Sequence, residues 1–171
     1  DAKGLLNAAI EDPNPYLFFE HKALYRSHKE KVFDDYYTTE VGKARFISEG
    51  DDLTIVTYGM GVYWAKDIMK EFDNVTADII DLRTLQPWDK ESVSESVEKT
   101  NKVFIVHEDC ITGGIGAEIS AWINENCFEF LDAPIMREGG LDTPIPFKKE
   151  LEENFMALSR MRDKIKKLID Y

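Results

Sequence analysis

Between Lys43 and Arg137, short apolar runs alternate with stretches in which apolar residues recur every three or four positions. Lys43–Ser48 and Leu53–Tyr58 read as strands joined by the turn Glu49-Gly50-Asp51-Asp52, the second apolar enough to be buried on both faces. So tight a turn predicts an antiparallel pair. Three further runs, Ala77–Leu82, Val103–Val106 and Pro134–Arg137, are each preceded by a helical pattern. Val62, Ala65, Ile68, Met69 and Phe72 share one helix face; Val93 and Val97 follow the N-cap Asp89; Ile115, Ile119 and Ile123 line a third helix. Leu158, Met161, Ile165 and Leu168 form the apolar side of a last helix whose other side carries Arg160, Arg162, Lys164, Lys166 and Lys167. Strand and helix in alternation predict an α/β fold, a three-layer doubly wound sheet with helices on both faces.

The first part of the chain follows another pattern. Asp1–Glu11 reads as a short helix stopped by Asp12-Pro13-Asn14-Pro15, Tyr16–Glu20 as a short apolar strand, and Lys22–Glu40 as a charged and aromatic linker without a period. No basic region followed by an apolar run opens the chain, so a signal peptide is not expected.

Composition narrows the function classes. The 171 residues carry 21 Lys and Arg against 33 Asp and Glu, a formal charge of −12 that repels phosphate backbones and anionic lipid alike. No nucleic acid and no membrane partner is expected, and no apolar run approaches the roughly 20 residues a spanning helix needs. The two cysteines, Cys110 and Cys127, make neither a disulfide framework nor a paired metal motif, which suits a reducing compartment.

Open parallel sheets bind ligands beyond the carboxyl ends of their strands, so the loops there are the candidate chemistry. Gly59-Met60-Gly61 and Thr112-Gly113-Gly114-Ile115-Gly116 each follow a strand and open a helix, but the third glycine position of a dinucleotide fingerprint holds Trp64 in one and Ile119 in the other. Tight turns explain these glycines better than phosphate binding does. His107-Glu108-Asp109-Cys110 ends a strand, where successive side chains point to opposite faces, so His107 and Glu108 do not converge. His107 reads as a satisfied, half-buried residue, with a ligand-facing role as the alternative. Asp81 and Arg83 share a face and suggest an ion pair across a strand end; Pro87-Trp88-Asp89 stops the strand and caps the next helix; Asp142–Phe147 is a rigid loop suited to a turn or to recognition. The residues by themselves indicate a doubly wound domain with no catalytic site.

Three strings, Ile79-Ile80-Asp81-Leu82-Arg83-Thr84-Leu85-Gln86-Pro87-Trp88-Asp89, Val97-Glu98-Lys99-Thr100 and Phe130-Leu131-Asp132-Ala133-Pro134, resemble the carboxy-terminal, transketolase-like domain of the β subunit of thiamine-dependent 2-oxo acid dehydrogenases. Asn14–Arg26 resembles the end of the preceding pyrimidine-binding domain, which divides the chain into 1–25 as the tail of that domain, 26–42 as linker and 43–171 as the transketolase-like domain. Within the family, Pro87-Trp88-Asp89, His107-Glu108, Thr112-Gly113-Gly114 and Glu125-Asn126-Cys127-Phe128 look most like the branched-chain (2-oxoisovalerate) enzyme.

The resemblance implies a mixed sheet of about five strands, four parallel and one antiparallel. It implies a parent enzyme that decarboxylates a 2-oxo acid on thiamine diphosphate with Mg²⁺ and passes the acyl group to a lipoyl arm, with the catalytic residues and both cofactors held outside this segment. No catalytic, cofactor-binding or metal-binding residue is expected here. The implied partners are the α subunit, a second β subunit and the subunit-binding domain of the lipoyl acyltransferase, for which Asp142 and the terminal Tyr171 are the docking candidates. The implied compartment is the bacterial cytoplasm or the mitochondrial matrix. A pyruvate or acetoin dehydrogenase β subunit is the alternative within the family, and a stand-alone nucleotide-binding or interaction module is the alternative outside it.

Overall fold

Leu53, Thr54, Ile55, Val56 and Thr57 are all buried, and that run forms the central strand of the sheet. The computed structural model describes residues 1–171. Its strands are β1 (Arg45–Ser48), β2 (Leu53–Thr57), β3 (Ala77–Asp81), β4 (Val103–Cys110) and β5 (Met136–Gly140), in the order β1-β3-β2-β4-β5. The helices are α1 (Ala2–Glu11), α2 (Leu24–Ser27), α3 (Met60–Ile68), α4 (Lys90–Thr100), α5 (Ile115–Asn126), α6 (Lys149–Phe155) and α7 (Leu158–Ile169). All neighbouring strands run parallel except β1, which is antiparallel to β3.

The alternation of side chains along β2 and β4 divides the core into two layers. Leu53, Ile55, Phe104 and Val106 pack with Trp64, Ala65 and Ile68 of α3 and Met161, Ile165 and Leu168 of α7. Val56, Ile80, Val103 and Ile105 face the other way, onto Val93 and Val97 of α4 and Ile119 and Ile123 of α5. Each of these fully buried aliphatic side chains contributes about 2 kcal/mol through removal from water. The helix faces read from the sequence are the faces that pack, except that Leu158 lies at the rim of α7, 39% exposed.

Two strand expectations are corrected. The segment Lys43–Tyr58 is not a hairpin: β1 pairs with β3, not with β2. The reason lies at Gly50, whose backbone crosses the start of β3 so closely that a Cβ would stand 2.2 Å from the Ala77 nitrogen. Gly50 N–H donates to Asp78 Oδ1 at 2.9 Å, and the Asp52 carboxylate accepts from the N–H and hydroxyl of Thr76. The chain thereby steps over β3, leaving β2 to take parallel neighbours on both sides and the mostly exposed β1 at the edge. Tyr16–Glu20 is not a strand of this sheet; it makes no backbone hydrogen bond, and Leu17 and Phe19 are 86% and 87% exposed.

The boundaries of β4 and β5 also shift. β4 continues past Val106 to Cys110, and β5 begins at Met136 and runs through Gly139 and Gly140. Those glycines permit a close approach to the irregular end of β4, since Cβ atoms there would stand 2.7 Å from the Asp109 oxygen and 2.9 Å from the Glu108 oxygen. The stretch 22–40 is ordered by contacts with α1: Thr39 N–H donates to the Gly4 oxygen, Asn7 Nδ2 to the Tyr37 oxygen, and Lys3 Nζ to the oxygens of Phe33 and Asp35.

Asp89 caps α4 as expected, accepting from Ser92 N–H and Ser92 Oγ and also from Ala44 N–H at the entry to β1. Burial pushes its carboxyl up, but these hydrogen bonds and Lys43 outweigh burial and hold it below the usual 3.8. Asp89→Ala should cost about 1.5 kcal/mol of stability. Because the folded carboxyl titrates below its unfolded value, this contribution is complete above the ordinary carboxylate range and is lost as pH falls through the depressed folded value. Urea midpoints of the two proteins should therefore differ at neutral pH and converge in acid.

Candidate functional site at the carboxyl ends of the strands

β2 connects to the left of the sheet and β4 to the right, so the crevice between their carboxyl ends is the topological switch point where a doubly wound fold binds its ligand. Two glycine loops border it. Gly59 has a φ of 57° and opens α3, and Gly113 has a φ of 79° just before α5, both conformations that favour glycine. The remaining glycines serve close packing. A Cβ on Gly61 would meet the Thr57 hydroxyl at 2.1 Å, and one on Gly116 would stand 2.6 Å from His107 Nε2.

His107 fills this crevice. It is fully buried, walled by Gly114, Gly116 and Gly139, and its ring is stacked on that of Tyr58 with centroids 6.2 Å apart. Nδ1 lies 3.0 Å from the Asp109 oxygen, and because a carbonyl only accepts, Nδ1 carries the proton and Nε2 is bare. That Nε2 has no hydrogen-bond partner, nor has the buried Thr57 hydroxyl. Burial pushes the imidazole below its ordinary 6.5, against the opposing pull of the Asp109 carbonyl and carboxylate, which keeps the ring neutral. Burial, with the charges of Asp109 and Glu108, raises the Tyr58 hydroxyl to about 12.

A phosphate group is larger than the methyl group that already collides at Gly61, Gly114 and Gly116. The cradles at the starts of α3 and α5 are therefore occupied by Thr57 and His107, and the geometry disfavours the nucleotide-binding alternative. No group of three or more His, Cys, Asp or Glu side chains is placed to hold a metal ion. The residues present do not fit a diphosphate–magnesium group.

The other candidates fall as follows. Glu108 points away from His107, as strand alternation requires, and pairs with His21 Nε2 at 2.8 Å. Cys110 is partly exposed and Cys127 buried, both free thiols. The expected Asp81–Arg83 ion pair does not form: Arg83, at a φ of 56°, gives only its backbone N–H to Asp81. Its guanidinium instead meets the Asp1 carboxylate at 2.9 Å and the oxygens of Lys43 and Ala44. The left-handed backbone turns the side chain toward the start of β1. Arg45 also pairs with Asp1, so the amino end of α1 is tied to the β1–β3 edge.

Asp142 lies two residues beyond β5, with Oδ1 accepting from Thr112 N–H at 3.1 Å and Oδ2 from Thr112 Oγ1 at 2.6 Å. Both bonds hold its carboxyl below the usual 3.8. Tyr171 lies at the opposite end of β5, beside Phe128, Leu131, Pro134 and Ile135 in a surface groove of about 630 Å³. The structure does not bring the two together; the length of β5 between them is on the order of 17 Å. Sequence reasoning missed the Thr57 plug, the Gly139 wall and the His21–Glu108 contact, none of which follows a local spacing.

Residues 42–159 match the family described as Transketolase, C-terminal domain. The chain belongs to that family. Among its relatives, the 2-oxoisovalerate dehydrogenase subunit beta of Bacillus subtilis is 46% identical over 160 residues, covering 92% of this chain and 49% of that protein. The mitochondrial 2-oxoisovalerate dehydrogenase subunit beta of Dictyostelium discoideum is 44% identical over 176 residues, 100% of this chain and 47% of that one. The pyruvate dehydrogenase E1 component subunit beta of Bacillus subtilis is 42% identical over 151 residues, 87% of this chain and 46% of that one. The transketolase C-terminal chain thus spans about half the length of the curated relatives it matches. A solved structure, "Split gene transketolase, inactive beta4 tetramer", superposes with a TM-score of 0.67 at 26% identity, covering 85% of this chain and 47% of that one.

Proposed function

We propose that this chain is the carboxy-terminal domain of the β subunit of a branched-chain 2-oxo acid dehydrogenase, serving subunit assembly and docking of the lipoyl acyltransferase rather than turnover. The observation that carries the non-catalytic role is the ligand crevice filled by His107 and Thr57. Identities of 46% and 44% to two 2-oxoisovalerate subunits, against 43% and 42% to two pyruvate subunits, favour the branched-chain substrate class by a small margin. In this reading thiamine diphosphate and Mg²⁺ bind elsewhere in the parent enzyme, which works in the bacterial cytoplasm or the mitochondrial matrix.

The proposed division is 1–25, 26–42 and 43–171. The bare backbone and exposed side chains of Leu17 and Phe19 support assigning Tyr16–Glu20 to a sheet of the preceding domain. The α subunit and a second β subunit are the assembly partners. For the acyltransferase, Asp142 and Tyr171 are the docking residues. An ionised carboxylate offers about four acceptor sites, so Asp142 can hold Thr112 and still receive an arginine of the partner. The net charge of −12 favours its approach.

Calorimetric titration with the subunit-binding domain of the cognate acyltransferase tests this reading. Saturable, salt-sensitive binding is expected, about tenfold weaker in Asp142→Ala, or about 1.4 kcal/mol, and retained in Thr112→Val. Absence of binding both by the single chain and by the paired β subunits overturns the docking role.

A further inference from the structure

Residues 13–32 leave the fold at the end of α1 and return to the same helix. Ahead of them Glu11 ends α1; after them the oxygens of Phe33 and Asp35 accept from Lys3 Nζ at 2.6 and 2.9 Å, and the Tyr36 hydroxyl donates to Glu11. α1 is itself fixed to the sheet, because Asp1 meets Arg45 of β1 and Arg83 just beyond β3. Both ends of the excursion therefore rest on one anchored helix.

Between those ends the segment is held on the sheet at two places. His21 Nε2 lies 2.8 Å from a Glu108 oxygen near the end of β4, and because a carboxylate only accepts, Nε2 carries the proton. The His28 ring lies against that of Tyr63, on the helix that follows β2, with centroids 3.6 Å apart. No other hydrogen bond, ion pair or ring contact joins residues 13–32 to residues 43–171. None of the segment is buried, and only His21 and Leu24 are partly covered. It thus reaches from the β1–β3 side of the sheet, across the carboxyl end of β2, to β4. A segment with so few buried groups belongs to the low end of local stability.

We propose that residues 13–32 form a flap, hinged on α1 and latched at the carboxyl ends of β2 and β4 by His21 and His28, that opens without unfolding of the sheet. Neither core layer contains a residue of the flap, so opening breaks no strand pairing and no core packing. The flap also carries Leu17 and Phe19, 86% and 87% exposed, between its first hinge and the His21 latch. On the reading above that Tyr16–Glu20 belongs to a sheet of the preceding domain, on which this step rests, the flap is the joint that latches that domain onto this one. Release of His21 and His28 then frees the joint to swing.

Trypsin digestion of the intact, folded chain, with cleavage after Arg26 followed by mass spectrometry, tests the flap, since Arg26 lies between the two latches. Cleavage is expected to speed up at least tenfold in the combined variant Glu108→Ala, His28→Ala, and to stay near the unaltered rate in Glu108→Gln, whose amide oxygen still accepts from Nε2–H. Hydrogen exchange of the β2 and β4 amides should be the same in all three proteins. An unchanged cleavage rate in the combined variant, or faster exchange of β2 and β4 along with faster cleavage, overturns the flap. The joint is tested separately by hydrogen exchange in the full-length subunit, where the amides of Tyr16–Glu20 should be protected. Exchange there as fast as in residues 1–171 alone refutes the joint and leaves the flap standing.

Discussion

Gly116→Ala is expected to lower the unfolding free energy by about 3 kcal/mol, because the new methyl group would lie 2.6 Å from Nε2 and 2.7 Å from Cδ2 of a fully buried His107. Gly114 and Gly139 lie close against other parts of the ring. His107→Ala alone opens a cavity and costs about 3 kcal/mol. The two changes share one volume, so the double variant should fall short of additivity by about 2 kcal/mol. Urea unfolding of the four proteins measures this directly, and strict additivity would show that Gly116 and His107 do not touch.

The same pair gives a pH signature with the opposite origin from that of Asp89. The folded imidazole titrates below its ordinary 6.5, so just under that pH the unfolded chain binds more protons than the folded one. Stability from the neutral ring is complete above 6.5 and declines as pH falls, until the folded ring itself protonates. His107→Ala should remove this part of the acid sensitivity.

Arg160→Met should destabilise by about 3 kcal/mol, more than Glu138→Gln at about 1.5 kcal/mol, although both break the same contact. Glu138 is buried on β5, whereas Arg160 and Lys164 on α7 reach solvent. Arg160 Nε donates to Glu138 Oε1 at 3.0 Å, and Lys164 Nζ stands 2.7 Å from Oε2. Taking away the arginine leaves a carboxylate in the interior with one partly exposed counterion; taking away the carboxylate leaves cations that can turn to water. Chemical denaturation of both single variants and the double tests the asymmetry, and equal costs would refute it. Arg160 Nη2 and Lys164 Nζ also donate to the oxygens of Gly139 and Arg137, capping backbone acceptors of an edge strand. The arginine variant should therefore aggregate sooner on heating.

Much of this was legible along the chain. The helix faces of α3, α4, α5 and α7, the run that became β2 and the cap at Asp89 depend on residues within a few positions of one another, and local periodicity reports them. Strand alternation likewise separates His107 from Glu108. The pairing of β1 was not legible, because turn length constrains the direction of a neighbour but not which strand lies beside it. Gly50 stepping over Ala77 decides that, through a contact the local pattern does not encode.

The amino-acid sequence by itself determined an α/β chain with helices on both faces of a largely parallel sheet, an acidic character that repels polyanions, and the resemblance of its strings to one family. Only the tertiary structure decided what fills the crevice. The glycines around it, Gly114 and Gly116 at the start of α5 and Gly139 on β5, come from two segments, and their common purpose, room for one neutral imidazole, exists only once both have packed against β4. It decided equally that Asp142 and Tyr171 stand at opposite ends of β5. Period and propensity act over a turn or a strand, whereas a buried side chain answers to whatever part of the chain the fold brings against it.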